Sequence, residues 1–591
     1  MQILKKQLMS LLCNHFSFFT RRKNRRLLIV GVLTVILGLT AALRLWGIDI
    51  RSISHPEVYV PGIDLIAHHS EPPPRHTLTE TLHWHYHDEP HPMGWYLAML
   101  AWTNVFGTSH LALRLPGVLF ALGSVPLIFA IARKSFGTAV GGLAALMLSL
   151  HGFHIFWSQT ARMYVAGAFL ALLATWLLLR LTKTPKPLPR LEICYIATII
   201  AGVLTVEFFW PLIMIHMFWA MLVLQRPAIG TDKSSGQIGF SKAPRVLQTQ
   251  TIAFIMAVPA LTHAVYRARK GAAPDPSTDF LMEYFSFGFL FAKDEFAIPA
   301  LHIGPVWTGL LLVFSLILLL CSLKAPKREA PLTIPRQSIP IWIPIVAAII
   351  SASFMFWLAS IAHRRNEALM TLSVLPFIAL IIPSLASVWR RYVPRLPSSS
   401  LHLLQEKTIL LWLIAVISPL VLFAMSYKVS ILAPRAFLIF IPYYLILCAA
   451  GALHVIRHQR LRWVAVSVTL LVFAASIPYS AHKPGSPNDY RGLAESMQTE
   501  MQAGDYILLR DRDWVDTPLL YYMPNAQLIV LNYVAALKAD PDARVWLITW
   551  PSTAQPVIND ARREALKNYH HVLTLKKLRA SAELFERNTD P

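Results

Sequence analysis

The sequence predicts a polytopic α-helical membrane protein with about thirteen spans and a small α/β domain at its C-terminal end. Three observations lead there. The 591 residues are 55% hydrophobic and only 15% charged, with mean hydropathy +0.49, too little charge to cover a soluble surface. Many apolar runs reach about 18–22 residues, enough to cross a hydrocarbon core of roughly 30 Å. The formal charge of +22 is unevenly placed: residues 481–591 carry 13 Lys/Arg against 14 Asp/Glu, so the excess lies in the first 480 residues. Its position in short loops between apolar runs is the positive-inside pattern of a bilayer protein, not the footprint of nucleic-acid binding.

Residues 1–26 form a basic cytoplasmic N-terminus, with Lys5, Lys6, Arg21, Arg22, Lys23, Arg25 and Arg26 and no acid. The apolar run Leu27–Leu45 reads as a signal anchor, because it is long and Arg44 interrupts a cleavage pattern. Residues 27–480 form the membrane domain. Its large outer loop, 48–110, is rich in His and acid and poor in Lys.

Helix two (about 111–132) ends inside at Arg133-Lys134, and helix three (about 138–157) emerges at Ser158–Arg162. Helix four returns to Arg180, and helices five and six flank a short outer turn near Glu207. Helix seven exits near Tyr266 before an outer loop of about 267–300. Helix eight spans about 302–323, helix nine exits at His363–Arg365, and helix ten returns to Arg390. Helix eleven exits at Tyr427, helix twelve spans about 435–456, and helix thirteen about 463–479. With this assignment every inner loop is basic. The stretch Pro92–Phe106 is too short for an untilted span. Its Trp95, Tyr96 and Trp102 suit an interfacial helix.

Residues 481–591 change character and read as an extracytoplasmic domain. Asp505–Arg510, Gln527–Leu531 and Arg544–Trp550 have strand composition. Tyr490–Met501, Thr517–Tyr522 and Asn559–Tyr569 read as helices. The alternation predicts a small α/β unit. It has no Gly-rich phosphate loop, and a packing or acceptor-docking role is preferred to a second catalytic centre. The four cysteines (Cys13, Cys194, Cys321 and Cys448) are scattered through the apolar region and imply no disulfide framework.

Chemistry concentrates in the outer loop. It carries His55-Pro56-Glu57, then Tyr59 ahead of the turn-forming Pro61-Gly62, then His83, His85, His87, Asp88, Glu89 and His91. Carboxylates, imidazoles and aromatics serve proton transfer, metal binding and sugar stacking. His87, Asp88 and His91 could face one divalent cation, although the spacing fits no strict zinc signature. Hydrogen-bonded residues organising the loop are the simpler reading for most of the histidines. A second feature is arginine at outer helix ends: Arg162, Arg267, Arg269, Arg364, Arg365 and Arg435. Guanidinium forks bind a lipid phosphate bidentately. Snorkelling to headgroups is the plainer alternative.

Several of these residues fall in an ordered string. Arg44-Leu45-Trp46-Gly47 is followed by His55-Pro56-Glu57. Then come His91-Pro92-Met93-Gly94-Trp95-Tyr96, Phe106-Gly107, Leu113-Arg114-Leu115-Pro116 and Ala132–Gly137. Ser158-Gln159-Thr160-Ala161-Arg162-Met163-Tyr164 follows, and Ala433-Pro434-Arg435 stands far downstream. The string resembles the GT-C superfamily of membrane glycosyltransferases, in its protein O-mannosyltransferase and aminoarabinose transferase branch. One departure is that the family's Asp-Glu pair stands here as Pro56-Glu57. This removes one candidate metal ligand and shifts weight to Asp88 and Glu89.

The resemblance implies an inverting glycosyltransferase in the bacterial inner membrane, working on its outer face. The donor would be a polyprenyl-phosphate-linked sugar among membrane lipids. The acceptor would be a hydroxyl of a glycolipid, polysaccharide, lipid A or protein. It implies no certain cofactor and allows a divalent metal. Glu57 is the expected base, with Asp88 and Glu89 as further catalytic candidates. Arg162, Arg435, Arg364 and Arg267 would hold the donor phosphate. His55, Tyr59, His91, Tyr96, Tyr164 and Glu207 would line the substrate site. Two alternatives stand beside it: a transporter or lipid flippase, which would ordinarily place charge near the bilayer midplane, and an acceptor-binding relative inactivated at Pro56.

Overall fold

The computed structural model describes residues 22–63, 77–87, 89, 91–182, 188–224, 245–267, 277–291, 305–323, 325, 407–427, 432–454, 459–480, 489–509, 516–524, 527–530, 544–549, 566–577 and 580–588. Expected helices nine and ten, with Arg269, Arg364, Arg365 and Asp88, lie outside the described residues, as do the side chains of His55 and Arg267.

The chain is mostly helical and carries apolar helices long enough to cross a bilayer, as an integral membrane protein requires. Among the described residues four helices qualify by length and composition: Arg26–Leu45, His110–Ser135, Tyr164–Leu181 and Lys407–Ser426. A fifth forms if Thr138–Leu150 and Gly152–Ser158, bent by 60° at His151, make one broken span. This is fewer than the thirteen expected. Several expected spans are instead shorter apolar helices: Phe209–Leu222, Val306–Ser322, Ile441–His454 and Arg462–Pro478. Expected helix twelve opens as a 3-10 turn, Pro434–Ile439, before the helix Ile441–His454. Proline at the first position suits that start, since its missing N–H would have no partner there.

The lipid-accessible and packed faces are told apart by burial. Leu27, Val30 and Val35 on the first helix are exposed, whereas Tyr443, Tyr444, Leu447 and Cys448 on helix 441–454 are fully buried. That central helix packs on Pro305–Ser322 and Thr138–Leu150. The break at His151 is stabilised by Arg44. Its Nη1 donates to Ser149 O at 2.9 Å and its Nη2 to Leu148 O at 3.1 Å, adding donors to carbonyls of the helix's last turn.

The outer loop is more structured than its composition suggests. It contains short helices at His55–Val58 and Leu78–His87, ahead of the expected helix at Met93–Phe106. The stretch His83–His87 is therefore helical: His83 and His87 share one face with ring centroids 4.3 Å apart, and His85 points to another.

In the C-terminal region the three expected strands form as Tyr506–Leu509 (β1), Gln527–Val530 (β2) and Val545–Thr549 (β3). Two more follow, Tyr569–Lys577 (β4) and Ala580–Arg587 (β5), giving a sheet of order β2-β1-β3-β5-β4. Strand β1 pairs parallel with β2 and β3, and β5 pairs antiparallel with β3 and β4. Helices Tyr490–Glu500 and Asp516–Tyr522 stand near their expected positions. The expected helix at Asn559–Tyr569 is corrected at its described end: residues 566–568 are a turn and Tyr569 begins β4. Both sheet faces are packed. Ile507, Trp546 and Leu584 bury against Leu493 and Met497, while Leu508, Val545, Leu547 and Phe585 gather on the other face.

Candidate functional site

Two ionic clusters meet where the outer loop packs against the turn 158–163. The first is built on Glu57. Ser54 caps the four-residue helix 55–58, and its N and Oγ both donate to Glu57 Oε2, at 3.0 and 2.9 Å. This is a capping box, with Pro56 pre-set for the first helical turn. Arg114, fully buried, donates from Nε to Oε1 at 2.9 Å and from Nη2 to Oε2 at 3.0 Å. Ala161 N donates to Oε1 at 3.0 Å. The remaining Arg114 hydrogens reach Ile48 O, Arg51 O and Ser52 O at 2.7–3.0 Å. Helix 110–135 comes close enough because a Cβ at Gly117 would lie 2.5 Å from Ser158 O.

A carboxylate has about four acceptor sites, and five donors converge on this one. Desolvation by burial raises the Glu57 pKa. The charge and hydrogen bonds of Arg114, with help from Arg51 and Ser54, outweigh it and hold the carboxyl down at about 2. A group so placed is a weak proton acceptor at neutral pH. The geometry gives Glu57 an anchoring part: it ties the start of the loop to helix 110–135 and to the 158–163 turn. This differs from the expected base. The physical reason is that Arg114 and Ala161, remote in sequence, fill its lone pairs.

The second cluster lies on the next residues. Arg162 Nη1 donates to Pro56 O at 3.1 Å and to Tyr96 Oη at 3.0 Å. Tyr96 also interacts electrostatically with the nearby Glu89 carboxylate, and Arg162 with the Tyr164 hydroxyl. Arg435 Nε donates to Tyr164 Oη at 3.0 Å. Glu89, Tyr96, Arg162, Tyr164 and Arg435 thus form one connected set, drawn from three distant stretches of sequence. Arg162 is buried, and its Nε–H has no acceptor among the described residues. A buried cationic N–H in that condition is costly unless an anion satisfies it. Arg435 is only half-buried and presents its guanidinium beside the same Tyr164 ring, 6.0 Å from the centroid.

Aromatic residues close the neighbouring wall. Tyr59 stacks on Trp84 at 6.1 Å, and Trp84 meets Tyr96 edge-on at 5.3 Å. His91 Nδ1 lies 3.1 Å from Glu207 Oε1 in a half-exposed pair, and His91 N donates to Glu89 Oε1 at 3.2 Å. The His91–Glu207 contact is set by Gly94. Its N donates to Leu204 O at 2.6 Å, and a Cβ there would clash with the same carbonyl.

Of the sequence-derived site residues, Glu89, His91, Tyr96, Arg162, Tyr164, Glu207 and Arg435 are brought together. Tyr59 stands at the edge through Trp84. Asp88, Arg364 and the side chains of His55 and Arg267 are outside the described residues. The residue that sequence reasoning missed is Arg114. An arginine five residues into an apolar helix, paired with a conspicuous loop carboxylate, was the available signal.

Among the described residues no group of three His, Cys, Asp or Glu side chains could hold a metal ion. Glu57 is consumed by Arg114 and His91 faces Glu207, so no step is derived through a metal.

Residues 88–233 match the family described as dolichyl-phosphate-mannose-protein mannosyltransferase. No curated protein matches the chain. Among solved structures, ArnT from Cupriavidus metallidurans bound to undecaprenyl phosphate is 14% identical, with 95% of this chain and 98% of that one covered and a TM-score of 0.40. The Archaeoglobus fulgidus oligosaccharyltransferase in complex with Zn and sulfate is 12% identical, with 93% and 72% covered and a TM-score of 0.42. AglB from the same organism, in complex with an inhibitory peptide and a dolichol-phosphate, is 10% identical, with 95% and 74% covered and a TM-score of 0.42. The matched segment holds Glu89, His91, Tyr96, Arg162, Tyr164 and Glu207, so over residues 88–233 the chain is similar to the dolichyl-phosphate-mannose-protein mannosyltransferases, in keeping with the GT-C membrane glycosyltransferase resemblance carried by its motifs.

Proposed function

We propose that this protein transfers a sugar from a polyprenyl-phosphate-linked donor to a hydroxyl acceptor at the non-cytoplasmic face of its membrane. The observation that carries the reading is the second cluster: a carboxylate, Glu89, connected through Tyr96 to Arg162, with Arg435 beside them. The arginines receive the lipid phosphate, and the unpartnered Arg162 Nε–H is the donor an anionic oxygen would satisfy. Glu89 accepts the proton of the attacking hydroxyl. The acceptor oxygen bonds to the anomeric carbon as its bond to the phosphate oxygen breaks. That oxygen leaves with the electron pair, and configuration inverts. Cationic hydrogen bonds aimed at the developing phosphate charge lower the barrier. Tyr59, Trp84 and His91 line the sugar or acceptor side. Asp88, on the adjoining residue, is the alternative base.

The finer assignments belong to the same proposal. The acceptor is a glycolipid, polysaccharide, lipid A or protein, the sugar a hexose or pentose, and residues 481–591 an extracytoplasmic domain. The test is transfer of radiolabelled sugar by purified full-length protein in nanodiscs, using a panel of polyprenyl-phosphate hexoses and pentoses with envelope acceptors. Labelled product with release of polyprenyl phosphate is expected. Donor movement between leaflets without cleavage would make the protein a flippase and overturn the reading.

A further inference from the structure

The C-terminal sheet region does more than trail the membrane helices. Its helix Asp516–Tyr522 lies against the start of the outer loop. Tyr522 Oη accepts a hydrogen bond from Ile53 N at 2.7 Å and lies 3.0 Å from His110 Nε2. His110 Nδ1 in turn sits 3.2 Å from Asp49 O. One arrangement satisfies all three contacts: Nδ1–H donates to Asp49 O, and the tyrosine O–H donates to Nε2 while its oxygen accepts from Ile53. Nearby, Arg491 N donates to Ser52 Oγ at 3.2 Å and Arg491 Nη1 to Asp49 O at 3.3 Å. Segment 49–53 is therefore gripped from two sides, by Arg114 through the carbonyls of Arg51 and Ser52 and by the C-terminal region through Tyr522 and Arg491.

That grip continues into the site. Ile53 is fully buried and immediately precedes Ser54, the cap of the helix that carries Pro56 and Glu57. Pro56 O is the acceptor that, with Tyr96, orients Arg162 Nη1. We propose that Tyr522 is a positioning residue for the transfer reaction: its hydroxyl fixes Ile53 and, through the rigid capped turn 54–57, sets the carbonyl that aims Arg162. The C-terminal region thereby completes the site without touching substrate. This inference rests on the glycosyl-transfer reading above.

Tyr521 provides the control. It belongs to the same helix, but its one hydroxyl contact is donated to Thr108 O, off the 49–57 segment, at 2.8 Å. Full-length Tyr522→Phe and Tyr521→Phe proteins in nanodiscs would be compared for kcat, donor KM and hydrogen exchange of the Ile53 amide. For Tyr522→Phe, kcat is expected to fall roughly tenfold to a hundredfold, the scale of a small misplacement of a working group. Donor KM changes less, and the Ile53 amide exchanges faster. Tyr521→Phe keeps kcat within about twofold, since its contact lies off the path. Equal loss in both variants, or Tyr522→Phe with normal kcat and unchanged exchange, overturns the positioning role. If Tyr522→Phe does not fold, Ser52→Ala loosens the same segment and is expected to lower kcat in the same direction; normal turnover there is equally fatal. A wild type inert toward every donor removes the functional reading and this inference with it, whereas an active wild type with an unaffected Tyr522→Phe removes this inference alone.

Discussion

Glu57 and Glu89 are both buried carboxylates beside an arginine, yet their surroundings differ in kind. Glu57 receives five donors, including a bidentate fork from a fully buried Arg114. Glu89 receives His91 N and lies beside Tyr96, which bonds an arginine whose buried Nε–H has no acceptor among the described residues. In the first cluster the Glu57 carboxylate is closed and satisfied, while the Nε–H of neighbouring Arg51 finds no acceptor among the described residues. In the second the Nε–H that finds none belongs to Arg162, the arginine at the centre of the set. A closed cluster holds structure together; an open one is equipped to bind and react. Proximity of an acid to an arginine therefore does not identify a catalytic acid. The count of donors against lone pairs separates the two.

The comparison is broken most directly at the closed cluster. Glu57→Gln or Arg114→Met leaves half of a buried pair behind, with an expected loss of about 3–5 kcal/mol in folding stability. Thermal unfolding in detergent measures it, and a well-folded but inactive Glu57→Gln protein would return the base to Glu57. The pH dependence has a definite sign. The folded-state pKa of Glu57 is depressed to about 2, so its contribution is present at neutral pH. It is lost as pH falls below the unfolded value of about 4.3 and through 2. Glu57→Gln protein should show a flatter acid limb.

At the open cluster the expectation reverses. Glu89→Gln keeps the fold and lowers turnover by roughly a hundredfold, the usual scale of a lost general base. Single-turnover kinetics with donor pre-bound would check this, and full activity would move the base to Asp88. Arg435→Ala weakens donor binding by about 2–3 kcal/mol. Arg435→Lys restores only part, because an ammonium lacks the fork; donor affinity by a spin-down or fluorescence assay reads both. The smallest effect is expected at His91–Glu207, a half-exposed pair. His91→Gln should cost less than about 1 kcal/mol, and a larger thermal shift would mean the pair helps organise the open cluster.

Much of this protein is legible in its sequence because lipid is an unforgiving solvent. Apolar runs mark Arg26–Leu45, His110–Ser135 and Tyr164–Leu181 as membrane-crossing helices, since any backbone crossing hydrocarbon must satisfy its own hydrogen bonds. Short continuous apolar runs bounded by polar residues mark β1, β2 and β3. The residue types of the site, with Arg162, Tyr164 and Arg435 at helix ends, are visible as breaks in the usual charge bias. Strands β4 and β5 are harder to see. β4 is largely exposed on one side and mixes His and Lys with its apolar residues, so it lacks a clean alternation.

Tertiary structure alone decided which carboxylate is closed and which open. Glu57 stands 57 residues before Arg114 and 104 before Ala161, and no local pattern announces that both will reach it. The joining of Arg162 to Arg435 through Tyr164 spans 271 residues between Tyr164 and Arg435, and the grip of Tyr522 on Ile53 spans 469. Sequence fixes what each group can do, since side-chain type, donor count and shape are local chemistry. Which of those capacities is used up and which is left available depends on neighbours that only packing brings within 3 Å.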